Sequence, residues 1–187
     1  MKTKKKKNLP TLVLIITSVI VLSCNSGIEP FPEPPDPGLT GFSGTITFVG
    51  DWPQDVTRTH LVVFRNPINS SADFLPPNMS FIVDPVPSGA REFSFNSTED
   101  SFQDLFTIGA GTYRYIAVAQ SNTEDISLLR SDWVVVGVYY SQGNTSSPGV
   151  MTIEEGKITE NINIVCDFDN PPPQPPGGIL NNSEVKQ

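Results

Sequence analysis

The sequence predicts an all-β fold: a single antiparallel β-sandwich of seven or eight strands with a Greek-key connection. Three observations predict it. Between two proline-rich segments, residues 39–169 form one stretch of roughly 130 residues, near the common size of a single domain. Within it, apolar side chains recur at every second position over short runs, the pattern of strands with one buried face. Clusters of Gly, Pro, Asn, Asp and Ser separate the runs, which are too short and too rich in β-branched residues for helices. Strands of this number in this length pack as two sheets face to face.

The first run covers residues 44–49 and stops at Gly50-Asp51-Trp52-Pro53; the second covers residues 60–65 and stops at Asn66-Pro67. Residues 80–83 and 91–96 follow, and in the latter Phe93 and Phe95 share a face opposite Glu92 and Ser94. Gly109-Ala110-Gly111 leads into residues 112–120, and Asp132-Trp133 opens residues 134–140. Both are apolar enough to read as central strands covered on two sides, with Trp133 packed in the core at the strand entrance. Residues 150–153 and 158–168 close the set, joined by the hairpin-like turn Glu154-Glu155-Gly156-Lys157, where glycine is available for positive φ. A short helical turn is compatible with residues 101–106.

Three of these segments carry a likeness. Gly41-Phe-Ser-Gly-Thr-Ile46, Gly111-Thr-Tyr113-Arg-Tyr115 and Val150-Met-Thr-Ile-Glu-Glu-Gly156 resemble the transthyretin-like, or prealbumin-like, domains that occur as regulatory-like modules in carboxypeptidases and in exported bacterial proteins. The resemblance implies a structural or interaction module. It carries no catalytic residue across.

Ahead of the domain, Lys2, Lys4, Lys5, Lys6 and Lys7 precede an apolar stretch of about 15 residues, short of the roughly 20 that a membrane-spanning helix needs. This is the order of a secretory signal. Its end, Val21-Leu22-Ser23-Cys24, resembles the lipobox of bacterial lipoproteins: aliphatic residues, a small residue, then a cysteine. The resemblance implies that residues 1–23 are a signal peptide cleaved after Ser23, and that Cys24 is lipidated, taking a diacylglycerol on its thiol and an acyl group such as palmitate on the new N-terminus. Two or three acyl chains at about 0.8 kcal/mol per buried CH₂ make a durable anchor. The membrane is then a partner through lipid alone. Asn25 is not the aspartate of the best-known inner-membrane retention rule, so the expected location is the cell envelope, with the outer membrane favoured. Residues 24–38, with prolines at 30, 32, 34, 35 and 37, read as a semi-rigid stalk, and residues 170–187 as a proline-rich disordered tail.

The chain carries 12 basic and 20 acidic side chains, for a net charge of −8. Five of the basic residues and none of the acidic ones lie in residues 1–23, so cleavage leaves a strongly acidic protein. Such a surface repels phosphate backbones, and nucleic acid is excluded as a partner. Once Cys24 is acylated, Cys166 is the only thiol left, and no disulfide within the chain is available. Cys166 alternates with Ile162, Ile164 and Phe168, which places it in the core.

Chemistry is sparse. His60 is the only histidine and lies in a strand, on the face of Val62 and Phe64 if it points inward; no nucleophile elbow accompanies it. Zinc lacks a ligand set, and no nucleotide motif or other cofactor signature is present. Asp167 and Asp169 share a face and read either as a solvated strand end or as a calcium pair. Glu99-Asp100 with Asp104, and Glu124-Asp125, read as loop residues. Trp52, in a turn, with Tyr139 and Tyr140 at a strand end, reads either as a lid over the sandwich or as a platform for sugar rings. The expected function is that of a non-catalytic envelope lipoprotein with structural or binding duty. A carbohydrate-binding module is the alternative, and it requires Trp52 and Tyr140 together on one surface. A hydrolase using His60 requires an open pocket there.

Overall fold

The computed structural model describes residues 38–83, 85–100, 106–141, 144 and 146–178. The signal, Cys24, the stalk up to residue 37, residues 101–105 of the turn expected at residues 101–106, Asp104 among them, and residues 179–187 lie outside the described residues. Ten strands are present among those described: β1 Gly41–Val49, β2 Arg58–Phe64, β3 Met79–Ile82, β4 Glu92–Asn96, β5 Gly111–Tyr113, β6 Tyr115–Ser121, β7 Val134–Val138, β8 Met151–Ile153, β9 Ile158–Thr159 and β10 Ile164–Asp167. Two short 3-10 turns, Ser71–Phe74 and Arg130–Asp132, are the only helical elements among the described residues, and no helix there is long and apolar enough to cross a membrane.

The fold is thus all-β. One eight-stranded sheet runs β3-β2-β6-β7-β10-β1-β4 with β9 also paired to β1, and a two-stranded sheet joins β5 to β8. The strand positions follow the hydrophobic runs closely, with two breaks. Residues 112–120 divide at Arg114, whose amide bonds to Phe64 O at 3.1 Å; β5 thereby pairs with β8 while β6 pairs with β2 and β7. Residues 158–168 divide around Asn161, which has φ 65.

The expectation of a wholly antiparallel fold is corrected here. Strand β1 runs antiparallel to β4 on one side but parallel to both β9 and β10 on the other. The turn at residues 154–157 forms, with Lys157 N–H donating to Glu154 O at 3.2 Å and Gly156 at φ 70. It does not close a hairpin ladder: β8 leaves to β5 and β9 to β1, and Thr159 Oγ1 bonding to Thr152 O at 2.8 Å ties the two across the turn.

Alternation along the strands produces two cores. Phe42, Ile46 and Phe48 of β1, Leu61 and Val63 of β2, Ile116 and Val118 of β6, and Ile164 and Cys166 of β10 meet in the inner one. The outer core holds the alternate residues, Val62 and Phe64 of β2, Ala117 and Ala119 of β6, and Val135 of β7, together with Phe74 and Trp133. Strands β2, β6 and β7 are therefore buried on both faces, as their near-continuous apolar sequence requires. Pro37–Gln187 is one of two compact units into which the chain divides, and every strand pairing and both cores among the described residues fall within it.

Residues 171–178 pack on this domain, although the sequence places them in a tail. Three prolines follow Asn170 and supply no amide donors. The side chain of Gln174 takes their place: its Oε1 accepts from Val135 N–H at 2.9 Å and its Nε2 donates to Val135 O at 2.8 Å, extending the ladder along β7. Arg130 is buried beside it and donates to Trp133 O and Pro175 O.

Candidate functional site

The alternation that builds two cores also decides where each chemically capable side chain points. His60 projects with Val62 to the outer side, is 1% exposed, and donates from Nδ1 to Val83 O at 3.0 Å. Cys166 projects to the inner core and is fully buried, which pushes its thiol up to about 12. The two lie on opposite faces of the sheet, so they form no dyad. The one-sided packing foreseen for Cys166 is observed, and Trp133 takes its expected place in a core, its Nε1 donating to Ser127 O at 2.9 Å.

Trp52 is half-buried. Its ring packs on Phe48 at 4.7 Å and on Phe168 at 5.3 Å between centroids, and its Nε1 donates to Ala90 O at 2.9 Å. That is the lid position over the inner core. Tyr139 packs against the same inner core, its ring lying where a side chain at Gly149 would have to stand; Tyr140 packs against the outer one. The structure therefore does not bring Trp52 and Tyr140 together as a sugar platform would need. Asp167 Oδ1 accepts from Asp169 N–H and Oδ2 from Asn170 Nδ2, both at 3.0 Å, and these bonds lower its pKa. The carboxylate closes the turn that ends β10. Glu99 Oε1 accepts from Asn96 Nδ2 at 3.0 Å, a turn contact of the kind expected there, whereas Asp100 beside it is buried rather than solvated.

What the sequence did not disclose is a cavity of about 180 Å³ on the outer side of β2 and β3. Its walls include Val62, Phe74, Ile82, Leu128 and Trp133, with His60 and Ser127 as the polar residues among those lining it. The Ser127 hydroxyl is engaged, donating to Asp132 Oδ2 and accepting from Leu129 N–H at 3.1 Å. Together with the bond from Trp133, these contacts fix residues 127–129 over the cavity. Ile126 and Leu128, apolar residues in an otherwise polar stretch, are what signals it in the sequence. A second recess of about 290 Å³ near Phe168 contains Gln120, buried, and Asp132, whose carboxylate is held by Ser127 and Ser131.

Comparison with protein families, with curated proteins and with solved structures finds no match to this chain.

Proposed function

We propose that this chain is a lipid-anchored protein of the cell envelope whose all-β domain has structural or binding duty and performs no chemistry of its own. The observation that carries the proposal is the leader itself: five lysines, an apolar stretch too short to span a bilayer, and Val21-Leu22-Ser23-Cys24 at its end. The non-catalytic part draws support from the site geometry. His60 and Cys166 are buried on opposite faces, and a thiol raised to about 12 supplies almost no thiolate near neutral pH.

The same reading takes the domain as a transthyretin-like Greek-key sandwich. Supporting it, the three resembling segments fall at the start of β1, at β5 running into β6, and at β8 with its turn. Strands distant in sequence also lie side by side, β2 beside β6 and β1 beside β10, as Greek-key connections require. The parallel β1–β10 pair departs from the purely antiparallel form.

The test is fractionation of cells making the full chain. Wild-type protein is expected in the membrane fraction, labelled by an alkyne-bearing fatty acid; Cys24→Ala is expected to lose the label and leave that fraction. A Cys24→Ala protein that stays membrane-bound overturns the anchor.

A further inference from the structure

We infer that the cavity against Trp133 is a binding site for the uncharged, flat apolar ring of a small molecule. Its size comes first. A cavity of about 180 Å³ compares with the roughly 150 Å³ apolar cavity that stays dry and takes up benzene, so there is room for one such ring and little more. Its chemistry agrees. Aliphatic walls from Val62, Met79 and Ile82 face aromatic ones from Phe74, Phe106 and Trp133, which offer ring faces and edges to a planar guest.

Charge is refused by the same lining. The Ser127 hydroxyl is engaged with Asp132 and Leu129, and His60 has its Nδ1 proton on Val83 O. Among the described residues lining it none is acidic and none is Lys or Arg, so a carboxylate entering here would be desolvated with only the His60 ring to meet it.

The mouth supplies the remaining observation. Of the residues lining the cavity, Ile126 is 43% and Leu128 64% exposed, on a loop whose backbone Ser127 holds in place. These two large apolar side chains are costly to leave in water, and they extend the apolar surface outward from the cavity. A ring inside with an apolar substituent outside would cover both. This deepens the binding duty proposed above and does not depend on lipidation, so failure of the Cys24 experiment leaves it standing, and its own failure leaves the anchor standing.

The experiment uses Pro37–Gln187, which contains every pairing and both cores of the described residues. Toluene is titrated while the two tryptophan indole N–H signals are followed by NMR, Trp133 being identified as the signal that survives Trp52→Phe. The expected result is a saturable shift of the Trp133 signal with the Trp52 signal unmoved, and no saturable shift with benzoate. Ile82→Phe, which fills the cavity from the edge strand, is expected to weaken toluene binding at least tenfold. Leu128→Asp, at an exposed position, is expected to do the same without altering the fold. The inference is overturned if toluene gives no saturable shift, if benzoate binds as well as toluene, or if both variants bind like the parent. Binding seen only after truncation at Gly178 also overturns it, by assigning the cavity to the chain's own C-terminal residues.

Discussion

Cys166 shows how one side chain can depend on the absence of another. It pairs across the ladder with Gly137, where an added Cβ would stand 2.5 Å from its Sγ and 2.9 Å from Ile164 Cγ2. Gly137→Ala is therefore expected to destabilise the domain by about 2 kcal/mol, and by less in a Cys166→Ala background, which chemical denaturation of the four proteins of the cycle would measure. Burial also raises the thiol from its ordinary 9.0 to about 12. Between those values the unfolded chain has lost a proton that the folded one keeps. Stability is thus fully retained below pH 9 and falls as pH rises toward 12, at up to about 1.4 kcal/mol per unit. Burial of the Tyr115 hydroxyl raises its pKa too and acts in the same direction at still higher pH. Urea titrations across pH 8–11 should show a shallower decline for Cys166→Ala than for wild type. The inward orientation of Cys166 was legible in its period-two neighbours. Its complement at Gly137 was not, because sequence alternation gives the face of a residue and not its partner across the ladder.

At the scale of elements, β1 is the informative case. Its apolar positions and the Gly50 stop were readable, but which strands flank it depends on contacts distant in the chain. Strands β9 and β10 share its parallel side with a break between them. There Ile162 N–H donates to Ser43 O at 3.1 Å and Asn163 Oδ1 accepts from Thr45 N–H at 3.0 Å, so the backbone and a side chain bridge the gap in the ladder. Gly44 permits this approach: a Cβ there would sit 2.3 Å from Ile162 O, a backbone atom with no rotamer to yield. Gly44→Ala is expected to cost about 2 kcal/mol net of the entropy that alanine removes from the unfolded chain, read as a thermal midpoint lowered by roughly 5 °C. The sequence offered Gly44 only as the start of a run. The division at Arg114 was equally hidden, since Tyr113 and Tyr115 stand two apart, as if on one face, yet pack into the inner and the outer core respectively.

For the domain as a whole, the class of fold and the doubly covered strands were legible because composition and periodicity report burial directly. The candidate site was hardly legible. The rings chosen as a sugar platform were judged by their place in turns and strand ends, whereas the cavity arises where a loop, a 3-10 turn and an edge strand converge from separate parts of the chain. The parallel β1–β10 pair sets a condition on the entire domain. Ending the chain after Asn163 deletes β10, opens the inner core along Ile164 and Cys166 and leaves β7 and β1 without their shared neighbour. Such a truncation is expected to abolish cooperative thermal unfolding, as followed by circular dichroism. The parallel side of β1 fixes an order in time: Thr45 waits for Asn163, made 118 positions later. At about 5–20 residues per second of synthesis, that is a delay on the order of ten seconds. Throughout it the first strand has no permanent neighbour on that side, while β4 is already there to pair with its other edge.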